Sequence, residues 1–552
     1  MKIDKVLAVF AILGVSSAAR AAEYTIDAPN RVGDVAALTN ALTKLNALTA
    51  TQRNGSKIWL KPGVYDLRGV YMNSGSHLFL DSNQGGMLAG LGERREDTVL
   101  LGGGETGAHR VLQVGGANYG WMTVSNLTVT GGWTTGDGGG ISGNKITKYC
   151  NLVVSNNYAA GSAGGGGGGC MRGRAEYCLF ADNRVSSGNN KFGGGLFTDG
   201  GGGLSASYVH GAWHCTFVSN SCGNVGGALY LKGKCVDCRF YGNTATHGGA
   251  VSIAAKTFTW SSFSGTTEML DCSFVGNAMS AAGNGSAVYY NGTGASVSNC
   301  VFAANNTPSY GGSGVVYGGN LVDCVVTNNL RQGEILYNCN LMRCLVADNT
   351  NTAKGVAIDH SGTGGALTNV NCLFSQNMAK ANGPITAGKV VANCTYVGNI
   401  SDNGRNYGDI CSGCRMWNTL LFGNYLNANK SASYASDIRA HNVDGDRPLV
   451  MTNCLFGVCD SYTTLDAKGY VTNAGVANTR KIADVKFTDA ANGDYTPKTS
   501  SPAYDAGCNE PWLISFMGAA DLAGNPRVFG KGVDIGAYEC QKPKPGVVVI
   551  VE

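Results

Sequence analysis

One six-residue phrase constrains this chain more than any other feature: cysteine, any residue, a large apolar residue, two further residues, then asparagine. It reads CLFADN from Cys178, CTFVSN from Cys215, CRFYGN from Cys238, CSFVGN from Cys272 and CVFAAN from Cys300. It continues as CLVADN from Cys344, CLFSQN from Cys372 and CTYVGN from Cys394, with a looser copy, CVVTNN, from Cys324. Successive copies begin roughly 20–37 residues apart, a period that belongs to stacked repeats rather than to a compact globule.

Within each copy the Cys and the large apolar residue are two apart, so on a strand both point to one face. The residue two before the Cys is apolar as well (Val236, Leu270, Val322, Met342, Val370), and polar residues lie between: Asp237, Asp271, Asn299, Asp323, Arg343, Asn371 and Asn393. That alternation predicts a half-buried strand, with the closing Asn in a turn. A second phrase, Gly-Gly-small-aliphatic, ends at Leu196, Leu229, Val251 and Leu367, with relaxed copies at Val288 and Val316. Each unit therefore carries at least two short strands joined by glycine-rich turns. A single unit cannot bury its apolar face, so the units must stack. Parallel coils about 4.8 Å apart form a parallel β-helix.

The pairing of GGA-aliphatic with F-x-x-N, over roughly residues 120–460, resembles the repeats of polymorphic outer-membrane proteins and other bacterial surface β-helices. The resemblance implies a right-handed helix, in keeping with the crossover preference of parallel strands. Near the N-terminus, Asp34 leads the helical run VAALTNALTKLNAL, and IWLKPGVYDL follows from Ile58 to Leu67. This segment is similar to the opening of pectate-lyase-like β-helices, where a short helix covers the first open coil. SPAYDAG from Ser501 and DLAGNPRVFGKGVDIGAYE from Asp521 to Glu539 resemble a choice-of-anchor module at the C-terminus of bacterial surface β-helix proteins. Its charged residues, Asp505, Asp521, Arg527, Asp534 and Glu539, are expected in ion pairs and turn bonds rather than in a catalytic group. The outer-membrane proteins end in a membrane barrel, and no run of alternating barrel strands follows here.

The expected fold is all-β: a right-handed parallel β-helix of about a dozen coils with an N-terminal helical cap and a C-terminal capping module. The divisions expected are a signal peptide over 1–22, a cap and first strands over 23–120, coils over 121–460, the C-terminal module over 461–540 and a tail over 541–552. Lys2 and Lys5 before the apolar run Val6–Val15, then small residues to Ala22, read as a secretory signal. The mature chain is thus expected outside the cell or on its surface, with no later stretch able to cross a bilayer as a helix.

Twenty cysteines in an exported chain ordinarily suggest disulfides. Stacking argues otherwise, because residues in register sit about 4.8 Å apart, whereas a disulfide wants Cβ atoms about 3.8 Å apart. The repeated cysteines are expected to form an inward ladder of inert thiols. The copy NTLLFGN places Thr419 in the same slot, which suits packing. Cys235 with Cys238 and Cys411 with Cys414 have C-x-x-C spacing but lie many coils apart, so no shared zinc ion is expected. The formal charge is only +4, without a basic run, which argues against a nucleic-acid partner.

Aligning coils on the glycine phrase places Phe197, Tyr230, Ser252, Tyr289, Tyr317, Tyr337 and Asp359 in one column. Their preceding neighbours, ending with Leu336 and Ile358, are apolar and expected to face inward. The aromatic rings then face out as a ligand-binding wall suited to sugars, unless the register is reversed and they stack inside. Asp237 and Asp271 fall in equivalent outward positions with Arg239 nearby; two such carboxylates share a proton, bind a cation such as Ca²⁺, or splay apart. Calcium beside an arginine would suit a polysaccharide lyase, whereas Asn299 and Asn371 in the same column suit a solvated polar face. Asp359 and His360 fall on alternate faces. The leading expectation is an adhesin-like protein that presents one long face to a polysaccharide or another cell-surface polymer, without a cofactor. The alternatives are a lyase or glycosidase, with Ca²⁺ as the possible cofactor, and a purely structural rod.

Overall fold

Each repeat unit folds into one coil of short strands. One coil runs through Leu229–Leu231, Lys234–Val236, Arg239–Tyr241 and Thr244–Ala245, and the next through Val251–Ile253, Glu268–Leu270, Ser273–Val275 and Ala278–Met279. Corresponding strands pair in parallel, with Leu229 opposite Val251, Cys235 opposite Met269, Phe240 opposite Phe274 and Ala245 opposite Met279. In the computed structural model this ladder begins with Glu23–Ile26 on Lys57–Leu60 and runs through Leu455–Phe456 on Arg480–Lys481. The fold is a right-handed parallel β-helix.

The structure describes residues 21–542 apart from internal stretches, the largest being 199–209, 403–409 and 439–449. The expected signal lies outside the described residues up to position 20, and the expected tail from position 543. Strands before residue 121 and after residue 460 belong to the same parallel ladder. Among the described residues, two antiparallel strand pairs interrupt the pattern: Thr257–Trp260 with Phe263–Thr266, and Phe487–Asp489 with Asp494–Pro497.

Simple alternation does not run through the cysteine phrase. The residue before each Cys has a left-handed backbone, with φ of 48° at Asp237, 57° at Asp271, 50° at Asn299 and 53° at Asn371. Asn and Asp tolerate that conformation best. The bend resets the strand phase, so the inward residue lies three before the Cys: Cys235, Met269, Val297, Leu321 and Leu341 are buried. Leu270, expected on the thiol face, is instead 39 % exposed.

Beyond the bend the phrase behaves as read. Phe180, Phe217, Phe240, Phe274 and Phe302 stack inside the helix, ring centroids 4.7–4.9 Å apart and nearly coplanar in orientation. The nine repeated cysteines are buried and all 20 cysteines are free. Burial pushes the thiols of Cys178, Cys215 and Cys238 well up. Neighbouring sulfurs touch, Cys235 and Cys272 at 3.7 Å. Thr419 takes the slot with its hydroxyl donating to the Trp417 carbonyl at 3.0 Å.

The closing asparagines are not the turn residues they were expected to be. The left-handed residue is the one before, as at Asp182, Ser219 and Gly242, and the asparagine itself turns inward. Asn157, Asn183, Asn220, Asn243, Asn277 and Asn305 are buried and donate side chain to side chain along the axis at 3.0–3.2 Å. The column continues through Asn329, Asn349, Asn377 and Asn399 to Asn424. There Asp437 closes it by accepting the backbone N–H and side-chain amide of Asn424 at 2.9 and 2.8 Å. Asparagine suits such a ladder because one carboxamide offers donors and an acceptor.

The helix Val35–Ala47 starts at Asp34, whose carboxylate accepts the Ala37 N–H at 2.8 Å. It buries Leu38, Ala41, Leu42 and Leu45 over the first coils, closing an otherwise open sheet end. At the other end the chain folds back along the flank of the coils. Leu513, Met517 and Val533 pack on Val370 and Ala392, and the Gly536 N–H donates to the Asn418 carbonyl at 3.0 Å. Within this segment Arg527 is buried and donates to the carbonyls of Asp534 (2.8 Å) and Gly536 (2.5 Å). Asp534 accepts the N–H groups of Asp505 and Cys540, and Asp521 those of Asn525 and Glu539. These charged residues hold turns together, as expected.

Candidate functional site

The outer wall is positioned by the glycine corners. A Cβ on Gly227 would lie 2.1 Å from the Gly249 carbonyl oxygen, and one on Gly249 would lie 2.1 Å from that of Ser286. Only a residue without a side chain allows successive backbones this close. The strand leaving each corner therefore starts in the same direction every time, with Leu229, Val251, Val288, Val316 and Leu336 inward. The next residue faces out, and Phe197, Tyr230, Ser252, Tyr289, Tyr317 and Tyr337 are in register as one column.

The last member differs from expectation. Leu336 stands opposite Asp359 and Tyr337 opposite His360, so Asp359 faces the interior and His360 joins the aromatic column. Rings follow one another from Tyr289 to Tyr317 (5.3 Å), Tyr337 (5.0 Å) and His360 (5.6 Å). Phe197 is only 4 % exposed, with Phe192 against it at 5.7 Å, and Phe192 also meets Tyr230 at 4.6 Å. Phe197 thus packs within the wall and offers no free ring face, and buried Ser252 interrupts the column. The accessible stretch is Tyr289–Tyr317–Tyr337, half-buried. Burial raises the phenols of Tyr289 and Tyr317, the latter also through Tyr337, Tyr289 and Glu334 nearby.

Glu334 had no place in the sequence reading. It sits at the corner before Leu336, 9 % exposed, and its carboxylate meets His360 Nδ1 at 3.3 Å. Burial alone would raise this carboxyl; hydrogen bonds from His360, its own backbone N–H and Ser313 outweigh that and hold it below the ordinary range. A carboxylate against one imidazole nitrogen fixes the ring and its tautomer.

The acidic candidates sit at the left-handed bends. Asp237 accepts from His214 Nδ1 at 2.9 Å, and His214 stacks on Tyr177. Asp271 accepts the side-chain amide of Asn299 at 2.6 Å, and Asp323 in the same column is bridged twice by Arg343. Each carboxylate is engaged by a different neighbour. Arg239 projects, exposed, from Arg239–Tyr241 on the far side of the bend. Among the described residues no group of three or more His, Cys, Asp or Glu is placed to hold a metal ion.

A second candidate lies in the first coils, where Trp133 and Tyr158 precede the first copy of the cysteine phrase. Trp133, Tyr158 and Arg184 are in register on short outward strands. The rings of Trp133 and Tyr158 stack 5.3 Å apart. They line an open cleft of about 470 Å³ with Glu105, Asn156, Asn157, Asp182 and Arg184. The legible signal was positional, since Tyr158 and Arg184 each follow a ladder asparagine, Asn157 and Asn183.

No protein-family model and no curated protein matches the sequence. Among solved structures the chain is similar to ORF18 of Geobacillus virus E2, at 11 % identity over 71 % of this chain and 57 % of that one, TM-score 0.26. It is similar to the A-module of the mannuronan C-5 epimerase AlgE6 of Azotobacter vinelandii, at 15 % identity over 69 % and 95 %, TM-score 0.27. It is also similar to an alginate lyase from Paenibacillus sp. strain FPU-7, at 12 % identity over 70 % and 97 %, TM-score 0.19. The chain spans little more than half the length of the viral protein.

Proposed function

We propose that this is an exported carbohydrate-binding β-helix that seats an extended polysaccharide against its outer wall. The observation that carries the reading is the cleft in which Trp133 and Tyr158 form a two-ring platform edged by Glu105, Asn156, Asp182 and Arg184. Aromatic faces take the apolar faces of sugar rings, and a cleft of this size with a few convergent polar groups suits a short run of sugars. Tyr289, Tyr317 and Tyr337 offer a second aromatic row on another side of the coils. The signal-like N-terminus supports export. In affinity electrophoresis through a panel of neutral and acidic polysaccharides, the protein should be retarded by at least one, and Trp133→Ala should abolish the retardation without altering the melting curve. Retardation that survives Trp133→Ala, or none by any polysaccharide, would sink the reading.

A second reading, cleavage of an acidic polysaccharide by proton abstraction, rests on Glu334 holding His360 at the end of the tyrosine row. A lyase would generate an unsaturated uronate, followed by its ultraviolet absorbance, and His360→Ala would abolish it.

A further inference from the structure

Two interior columns of the β-helix are broken by polar side chains in adjacent coils, and a buried lysine reaches them from a bend. Val316, Leu336, Asp359, Thr386 and Cys411 stand in one column. Leu321, Leu341, Asn369, Val391 and Met416 stand in a second. Lys389 follows Gly388 in the bend between Thr386–Ala387 and Val390–Ala392 and turns its side chain inward. Asp359, Asn369 and Lys389 are at most 1 % exposed.

The three meet in one arrangement. Lys389 Nζ lies 2.6 Å from Asp359 Oδ1 and 3.3 Å from Asn369 Oδ1, and the Cys339 carbonyl holds it from a third side at 2.7 Å. The Asn369 side-chain amide donates to Asp359 Oδ2 at 2.7 Å. A carboxylate thus bridges an amine and a carboxamide inside the coils. A buried ion pair is a poor device for stability alone, since apolar side chains of similar volume do as well or better. As a reaction site the arrangement has every part it needs.

We propose that Lys389 and Asn369 join in an intramolecular isopeptide bond, with Asp359 as the proton carrier. Asp359 Oδ1 takes a proton from the Lys389 ammonium, and the neutral amine attacks Asn369 Cγ. The new Nζ–Cγ bond forms as the Cγ–Nδ2 bond breaks. Of the two protons lost by Nζ, one departs on Nδ2 as ammonia and the other stays on the Asp359 carboxyl. Charge and atoms balance without oxidant or co-reactant. The amine lies 3.3 Å from Asn369 Oδ1, the oxygen on the carbon it attacks. The product ties one coil covalently to the next from inside.

Mass spectrometry of the purified full chain tests this. The folded wild type should be lighter than its sequence by one ammonia, and its digest should contain a branched peptide joining Lys389 to Asn369. Lys389→Met and Asn369→Ala should restore the full mass, and Asp359→Ala, which keeps both reactants, should do the same. A folded wild type of unmodified mass would overturn the proposal. So would ammonia loss without the branched peptide, which would report a succinimide elsewhere. The wild-type measurement decides by itself, so a variant that fails to fold leaves the conclusion standing.

Discussion

The carboxamide of Asn243 donates to that of Asn277 at 3.0 Å, and the same Asn277 oxygen accepts the backbone N–H of Asn243 at 3.0 Å. Asn277 in turn donates to the Phe240 carbonyl at 3.0 Å. One side chain therefore satisfies three polar groups of the preceding coil. Asn277→Ala would leave the Asn243 amides and the Phe240 carbonyl unpaired in the interior, costing about 3 kcal/mol or more. The urea midpoint should fall accordingly; a change smaller than about 1 kcal/mol would mean that water replaces the amide.

Gly249 is required by proximity rather than by its own backbone angles. An alanine there would press its methyl 2.1 Å from the Ser286 carbonyl oxygen and 2.4 Å from that of Ala278. Overpacking of this kind costs about 1–3 kcal/mol, and it would act on the corner that aims Tyr289. Gly249→Ala should lower the melting temperature, whereas Gly493→Ala, at a site with open space around it, should cost less despite its positive φ.

The interior thiols should be chemically silent until the helix opens. Cys215, Cys238, Cys300 and Cys344 are buried, and a buried protonated thiol is a poor nucleophile. Iodoacetamide should label them only in denaturant, while half-buried Cys150, Cys459 and Cys508 should react first. Rapid native labelling of Cys238 would contradict the ladder.

Glu539 makes the C-terminal segment pH-sensitive. Burial pushes its carboxyl up from 4.5 to about 8, outweighing Arg527 at 3.9 Å. The folded state thus binds a proton that the unfolded chain releases, so stability is greatest below pH 4.5 and declines as pH rises toward about 8. Asp534, raised to about 6 by burial, adds the same sign over a lower window. Glu539→Gln should remove the upper part of this decline. The two stability–pH curves should diverge by a few kcal/mol at most between about pH 5 and pH 8; parallel curves would refute the assignment.

Much of the candidate wall was legible, and the misreadings share a cause. The tyrosine register from Tyr230 to Tyr337 follows directly from the glycine phrase. Taking Ile358 as the inward residue puts Asp359 outside, because a one-residue shift exchanges faces. Alternation carried across Asp271 puts Leu270 inside, but the left-handed backbone there resets it. The coils of Trp133 and Tyr158 lack the cysteine that sets the alignment.

From its sequence alone this chain was bound to wind into stacked parallel coils, since the repeated Cys, Phe and Asn can be buried only by lying each above its own kind. Repetition makes that a local matter, decided between one unit and the next. Which polar residues meet was settled only in three dimensions. Asp359 and Asn369 lie on different strands and Lys389 in a bend, and Glu334 and His360 on different coils, so their encounters depend on coil length and bend position, quantities no single repeat contains.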